Sequence, residues 1–302
     1  MKIESQNMKY IALTIVLLLL GTSIIPASSQ KIDVFSVSAS AGTWLYVGGN
    51  GPGNYTKIQD AIDDANDGDT VFVYNGSYIE TLEINKSIAV IGEDKDTTFI
   101  LGGNDSEIVQ LKEASIMLNG FTIQRYNDTN AIGIMLIDCW SCDISRNVVK
   151  SCYVGILVTQ TESSHVSNNS VLDCSFGIVN VIAGNVSITY NRIDGNKKGS
   201  GIEVQGTIFR NYIRRNIITN NSIGINLFFA FFTNIQQNNF FDNQQHAFFT
   251  SAFFSVWREN YWNQSRLLPK LIRGQVGGMV IQRKIPLFNF DWRPAQEPFD
   301  TF

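Results

Sequence analysis

Asp173 and Asp194, with Lys150 and Lys197 near them in the chain, come closest of all the side chains here to an acid-base pair. If the fold sets those two carboxyls about 5 Å apart, they have the separation of a retaining glycosidase. Carboxylates holding calcium beside a lysine or arginine base would instead make a polysaccharide lyase, which abstracts a proton. The remaining aspartates are scattered, so a plain solvated reading of Asp173 and Asp194 stands beside both. Cys139-Trp140-Ser141-Cys142 has the C-x-x-C spacing used in redox and metal sites. His165 and His246 fall at unrelated places in the chain's repeat, so they assemble no imidazole cluster for zinc or copper. These residues require no cofactor, and calcium enters only with the lyase reading.

What positions these groups is a unit of 22 to 24 residues repeated five times between Gly133 and Ala247. Each copy opens on Gly133-Ile134, Gly155-Ile156, Gly177-Ile178, Gly201-Ile202 or Gly224-Ile225, and a sixth begins at Ala247-Phe248. An apolar residue follows in each (Ile144, Val166, Ile188, Ile213, Ile235, Val256), and then always an asparagine: Asn147, Asn169, Asn191, Asn216, Asn238, Asn260. A fixed period of this length means stacked units that cannot bury their apolar faces alone. Within a unit apolar residues alternate, as at Ile156 and Val158, which is the period of a strand, and isoleucine and valine outnumber leucine. The fold is therefore read as all-β, a right-handed parallel β-helix of about nine coils. An N-terminal helix caps it and a C-terminal tail covers its other end.

Stacked coils lie about 4.8 Å apart. The six asparagines should then form a ladder of amides at one corner, where asparagine also tolerates a left-handed backbone. A second column, Cys152, Cys174, Asn196, Asn220 and Asn243, recurs further along each unit. Cys152 and Cys174 hold equivalent places in consecutive coils, close enough either for a disulfide or for two buried free thiols. All six prolines lie outside Asn54 to Leu268, as expected of strands bonded on both sides. Thr56 and Gln59 have capping-box spacing ahead of the apolar face Ile58, Ala61, Ile62 and Ala65. Ten phenylalanines between Phe228 and Phe254 either face outward or are covered by the tail.

The boundaries that follow are 1–29 for a secretory signal, 30–43 for a linker, 44–268 for the β-helix with its cap, and 269–302 for the tail. Lys2 and Lys9, the apolar run from Ile11 to Leu20, Pro26 and the small residues Ala27-Ser28-Ser29 carry the signal reading, with an uncleaved membrane anchor as the alternative. Without residues 1–29 the chain carries 21 basic against 26 acidic side chains, a balance that argues against nucleic acid. Sequons are dense, at Asn54, Asn75, Asn85, Asn104, Asn127, Asn168, Asn185, Asn220 and Asn263. Together these point to a secreted or cell-surface glycoprotein, touching a membrane only through its N-terminal segment if that is uncleaved.

Gly53 to Ile62, Gly68-Asp69-Thr70-Val71, Tyr78-Ile79-Glu80 and Ile84 to Glu93 resemble the N-terminal module of pectin lyase-like β-helix proteins. Asn260-Tyr261-Trp262 and Phe290 to Ala295 resemble the C-terminal motifs of the NosD-type, or carbohydrate-binding and sugar-hydrolase, group within them. The resemblance implies the β-helix fold over nearly all of the chain after the signal. It implies no single activity, since the group holds enzymes, surface proteins and a copper-site maturation factor. The expectation drawn from residues and resemblance together is a non-catalytic envelope protein acting in structure, adhesion or glycan binding. Its partner would be a carbohydrate or another envelope component. A lyase or glycoside hydrolase, and a metal-site accessory role, are the alternatives.

Overall fold

The computed structural model describes residues 42–103, 105–125, 131–277 and 284–300. Within them 29 strands and one short helix build a right-handed parallel β-helix whose strands stack in three columns. The first column runs from Leu82–Ile84 to Lys270–Val276, the second from Trp44–Val47 to Ile285–Asp291, and the third from Gly76–Tyr78 to Tyr261–Trp262. The equivalent residues of the repeat lie side by side, with Ile134, Ile156, Ile178, Ile202 and Ile225 in one continuous register. All five are fully buried. Each such side chain contributes about 1.5–3 kcal/mol by leaving water.

Glycine opens the units because of close approach. A β-carbon built at Gly133, Gly155, Gly177, Gly201 or Gly224 would lie no farther than 2.9 Å from a main-chain oxygen of the next coil. In the last unit Trp257, and not Val256, pairs with Ile235 and turns inward, while Val256 is exposed. The six-residue asparagine ladder forms as expected. Asn191 is representative: its Nδ2 donates to Val166 O at 2.8 Å and to Asn216 Oδ1 at 3.0 Å, and its Oδ1 accepts from Asn169 N and Asn169 Nδ2 at 3.0 and 3.1 Å. The left-handed backbone falls one residue earlier than expected, on Arg146, Asn168, Tyr190, Arg215, Gln237 and Glu259, with φ between 53° and 57°. That division lets the ladder amide point inward while an exposed or half-buried residue makes the bend.

The second ladder corrects one assignment. Asn196 bonds Asn221, which bonds Asn243, at 2.8 and 2.9 Å. Asn220 stands just before it, exposed and left-handed.

The helix, Ile58–Asp64, buries Ile58, Ala61 and Ile62 against the first coils. Its start corrects a second expectation. Lys57 holds the N-cap place without a side-chain bond, and the free amides of Ile58 and Gln59 are taken by the carboxylate of Glu80 at 2.9 and 3.0 Å. The carboxylate of a neighbouring coil therefore replaces the local capping box. At the other end of the stack, Lys270–Val276 and Ile285–Asp291 form the one antiparallel pair among the described strands. Each also adds in parallel to the last coil, at Phe249↔Gly274 and Trp257↔Asp291. The hairpin buries Ile272 but leaves Phe288 and Trp292 exposed. Of the phenylalanine cluster, Phe240 and Phe249 are inside, while Phe232 and Phe254 stack on each other in solvent, 5.3 Å between ring centres.

Candidate functional site

Coil stacking places Asp173 and Asp194 on adjacent coils but one position apart. Asp194 is in register with Leu172, and Leu172 with Lys150, on the outer face of the third column. Asp173 bends the corner beyond them with φ 52°. The Asp194 carboxylate is already engaged, by Arg192 at 2.7 Å and by Asn220 Nδ2 at 3.0 Å. Lys150 is two coils away in the same column, and Lys197 is exposed in the loop after Asp194.

The four cysteines are buried as free thiols in two touching pairs. In each pair the shared hydrogen bond and burial push one thiol up, Cys142 and Cys152, while the hydrogen bond to that partner lowers the other, Cys139 and Cys174. Cys142 and Cys152, raised in this way, are poor nucleophiles and poor metal ligands at neutral pH. Cys139 and Cys142 also donate to the main-chain oxygens of Leu111 and Ala114. This is core packing with each S–H satisfied.

Six described sequon asparagines are exposed: Asn75, Asn85, Asn168, Asn185, Asn220 and Asn263. Asn54 is half-buried with Nδ2 on Gly48 O, and Asn104 and Asn127 lie outside the described residues. The signal region 1–29 lies outside them as well, as do all but residues 42 and 43 of the expected linker. Among the described residues no helix is long and apolar enough to cross a membrane.

The outer face of the second column holds two arrangements that residue spacing alone did not single out. At its N-terminal end Trp44 and Tyr46 stand beside Phe72, with Tyr74 at the following turn. Their ring centres lie 5.2 to 6.3 Å apart. Trp44 is 52% and Tyr46 39% exposed, so the four rings form a platform open to solvent. The detectable signal was the alternation of aromatics on two neighbouring strands, Trp44-x-Tyr46 and Phe72-x-Tyr74. Farther along the same face Met117, Asp143 and His165 stand in one row on three consecutive coils. Asp143 Oδ1 is buried there without a hydrogen-bond partner. Among the described residues no three His, Cys, Asp or Glu side chains converge. This row is a set of one imidazole, one carboxylate and one thioether, donors that copper accepts.

Comparison with known proteins adds three findings. A family model described as "Periplasmic copper-binding protein (NosD)" matches residues 62–276. A "Cell surface glycoprotein" of Methanothermus fervidus is 28% identical over 123 residues, covering 40% of this chain and 20% of that protein, so the chain spans a fifth of its relative's length. Solved structures are similar over much of the chain at low identity. Escherichia coli YbhC is 11% identical, with 80% of this chain and 78% of that one covered at TM-score 0.44. A pectin methylesterase from Yersinia enterocolitica is 14% identical, with 66% and 90% covered at TM-score 0.42.

Proposed function

Because the chain belongs to the NosD family, described as periplasmic copper-binding, we propose that it is an extracytoplasmic, surface-located β-helix that binds envelope glycan without turning it over. The observation that carries this is the platform of Trp44, Tyr46, Phe72 and Tyr74. A sugar ring offers a face of C–H groups and a rim of hydroxyls. Exposed aromatic faces with a tyrosine hydroxyl meet both, one by apolar burial and one by hydrogen bonding. The exposed sequons and the surface glycoprotein relative agree with such a location. The engagement of Asp194 by Arg192 and Asn220 argues against its use as an acid or base.

Titration calorimetry with soluble neutral and acidic oligosaccharides tests the reading. Converting both Trp44 and Tyr46 to alanine is expected to weaken binding by about ten-fold or more while circular dichroism shows the β-helix intact, since both rings lie on its outer face. No binding by the parent protein, or equal binding by the variant, would overturn it. Product release from a polysaccharide panel, with or without calcium, that is lost in Asp173→Asn or Asp194→Asn would replace it with the lyase or hydrolase reading.

A second reading rests on the Met117–Asp143–His165 row and the orphaned Asp143 oxygen. These residues would hold one copper ion through sulfur, oxygen and nitrogen, and the ion would serve as bound cargo or as a structural cross-link between coils. Copper titration followed by metal analysis and a thermal-shift scan is expected to find one ion per chain and a raised midpoint, both lost in Asp143→Ala. Unchanged stoichiometry in that variant would dispose of the row.

A further inference from the structure

At the C-terminal end, where the hairpin meets the last coil, the surface opens into a cleft of about 440 Å³ lined by Gln245, His246, Trp262, Arg266, Lys270 and Arg273. That volume suits a small organic ligand of about one sugar unit. In a chain of net charge -4 this lining is unusual, for it gathers three cations and no carboxylate. None of the three takes part in the ion pairs found among the described residues, which join Lys95 to Asp96, Lys112 to Glu83, Arg192 to Asp194 and Arg258 to Glu259. Nearby Asp291 is fully buried and occupied by main-chain and indole donors.

We propose that this cleft is a binding site for a small organic oxyanion, a sugar-sized molecule bearing a carboxylate, sulfate or phosphate. Lys270 is the central donor. Its ammonium lies 5.6 Å from the centre of the Trp262 ring, held there between the aromatic face and the opening. Burial, with Arg266 and Arg273 nearby, lowers the Lys270 pKa, so an arriving anion relieves a cost the empty cleft already carries. Arg266 contributes a second unmet demand, because its Nε is buried without an acceptor. A buried donor without a partner is unfavourable, and a ligand oxygen would satisfy it. His246 adds a neutral polar edge: burial, then Lys270 and Arg266, lower its pKa to about 4, with Asp242 opposing, so the ring is uncharged at pH 7. The site lies at the opposite end of the stack from the aromatic platform and does not depend on it.

The test is calorimetric titration of the full chain with galacturonate, glucose, inorganic phosphate and inorganic sulfate as separate probes. The expected result is binding of galacturonate and not of glucose, weakened at least about ten-fold in Lys270→Gln and largely kept in Lys270→Arg. Circular dichroism of each variant confirms that the coil is intact. Phosphate or sulfate binding as tightly as galacturonate supports the site and reduces its ligand to the bare oxyanion. Galacturonate binding more tightly supports the sugar-sized anion. Glucose binding as well as galacturonate, no anion binding at all, or anion binding untouched in both Lys270→Gln and Arg266→Gln would overturn the proposal.

Discussion

Leucine in place of Asn191 lowers the stability of the β-helix by about 2 kcal/mol, although the side chains are similar in size and the site is fully buried. The exchange removes an amide that makes four hydrogen bonds to the two adjoining coils. It strands Asn169 N and takes a donor from Val166 O, both shielded from water, while Asn216 Oδ1 keeps the main-chain amide of residue 191 at 2.9 Å. Stranded buried groups cost about 1–3 kcal/mol apiece, while leucine returns about 1.5–3 kcal/mol of apolar burial at most. The polar loss therefore wins. Because contacts in a solenoid are between neighbours, the damage should be local, with amide exchange accelerated in the coils containing Asn169, Asn191 and Asn216 and little changed near Trp44. Asn168→Gly is the control, since Asn168 is exposed, outside the ladder and on a left-handed backbone that glycine accepts, and should stay within about 0.5 kcal/mol of the parent protein. Equal midpoints for the two variants in thermal unfolding would show that the ladder is ornamental.

Alanine at Asp291 should detach the C-terminal hairpin from the stack. Asn260 is the last amide of the ladder, and in place of a further asparagine it finds Asp291. One carboxylate oxygen accepts from Asn260 N, Asn260 Nδ2 and Trp262 Nε1 at 2.9 to 3.1 Å, and the other accepts from Glu259 N and Arg293 N. Bonds to a buried carboxylate are stronger than bonds between neutral groups. Their loss, with the Asn260 and Trp262 donors left unmet, amounts to about 3–5 kcal/mol. Limited proteolysis reports it directly, with new cleavage after residue 262 in Asp291→Ala, while Asp291→Asn, which keeps one acceptor oxygen, is cut more slowly. A proteolytic pattern identical to the parent protein's in both variants would refute the role.

Why some of this was legible in the chain and some was not has a physical basis. The glycine-isoleucine openings and the Asn147 to Asn260 ladder could be read because they repeat, and register makes equal spacing into contact. The second ladder was misread at one rung. The step from Ile178 to Ile188 is ten residues but that from Ile202 to Ile213 is eleven, so counting from the glycine lands on Asn220 and not on Asn221. The Glu80 cap and the Asp291 terminator escaped because their partners lie 22 and 31 residues away, beyond any local motif. The cationic cleft was out of reach for the same reason. Arg266, Lys270 and Arg273 are close in sequence, but the volume they line exists only once the hairpin has folded against His246 and Trp262. The stacking sets Asp173 and Asp194 on adjacent coils, as the repeat implies, but the arginine beside Asp194 could not be read from the repeat.

The antiparallel pair at the C-terminal end bears on how the molecule behaves in a crowd. Parallel coils possess no natural stopping point, for every finished turn presents unpaired amides and carbonyls on which another chain could continue, much as a fibril elongates. The chain answers by doubling back, so that Ile285–Asp291 offers strand polarity opposed to its neighbour Lys270–Val276 where a newcomer would look for a matching template. Removal of residues 269–302 would expose such a growth front, and the expected result is end-to-end filaments where the intact chain stays discrete.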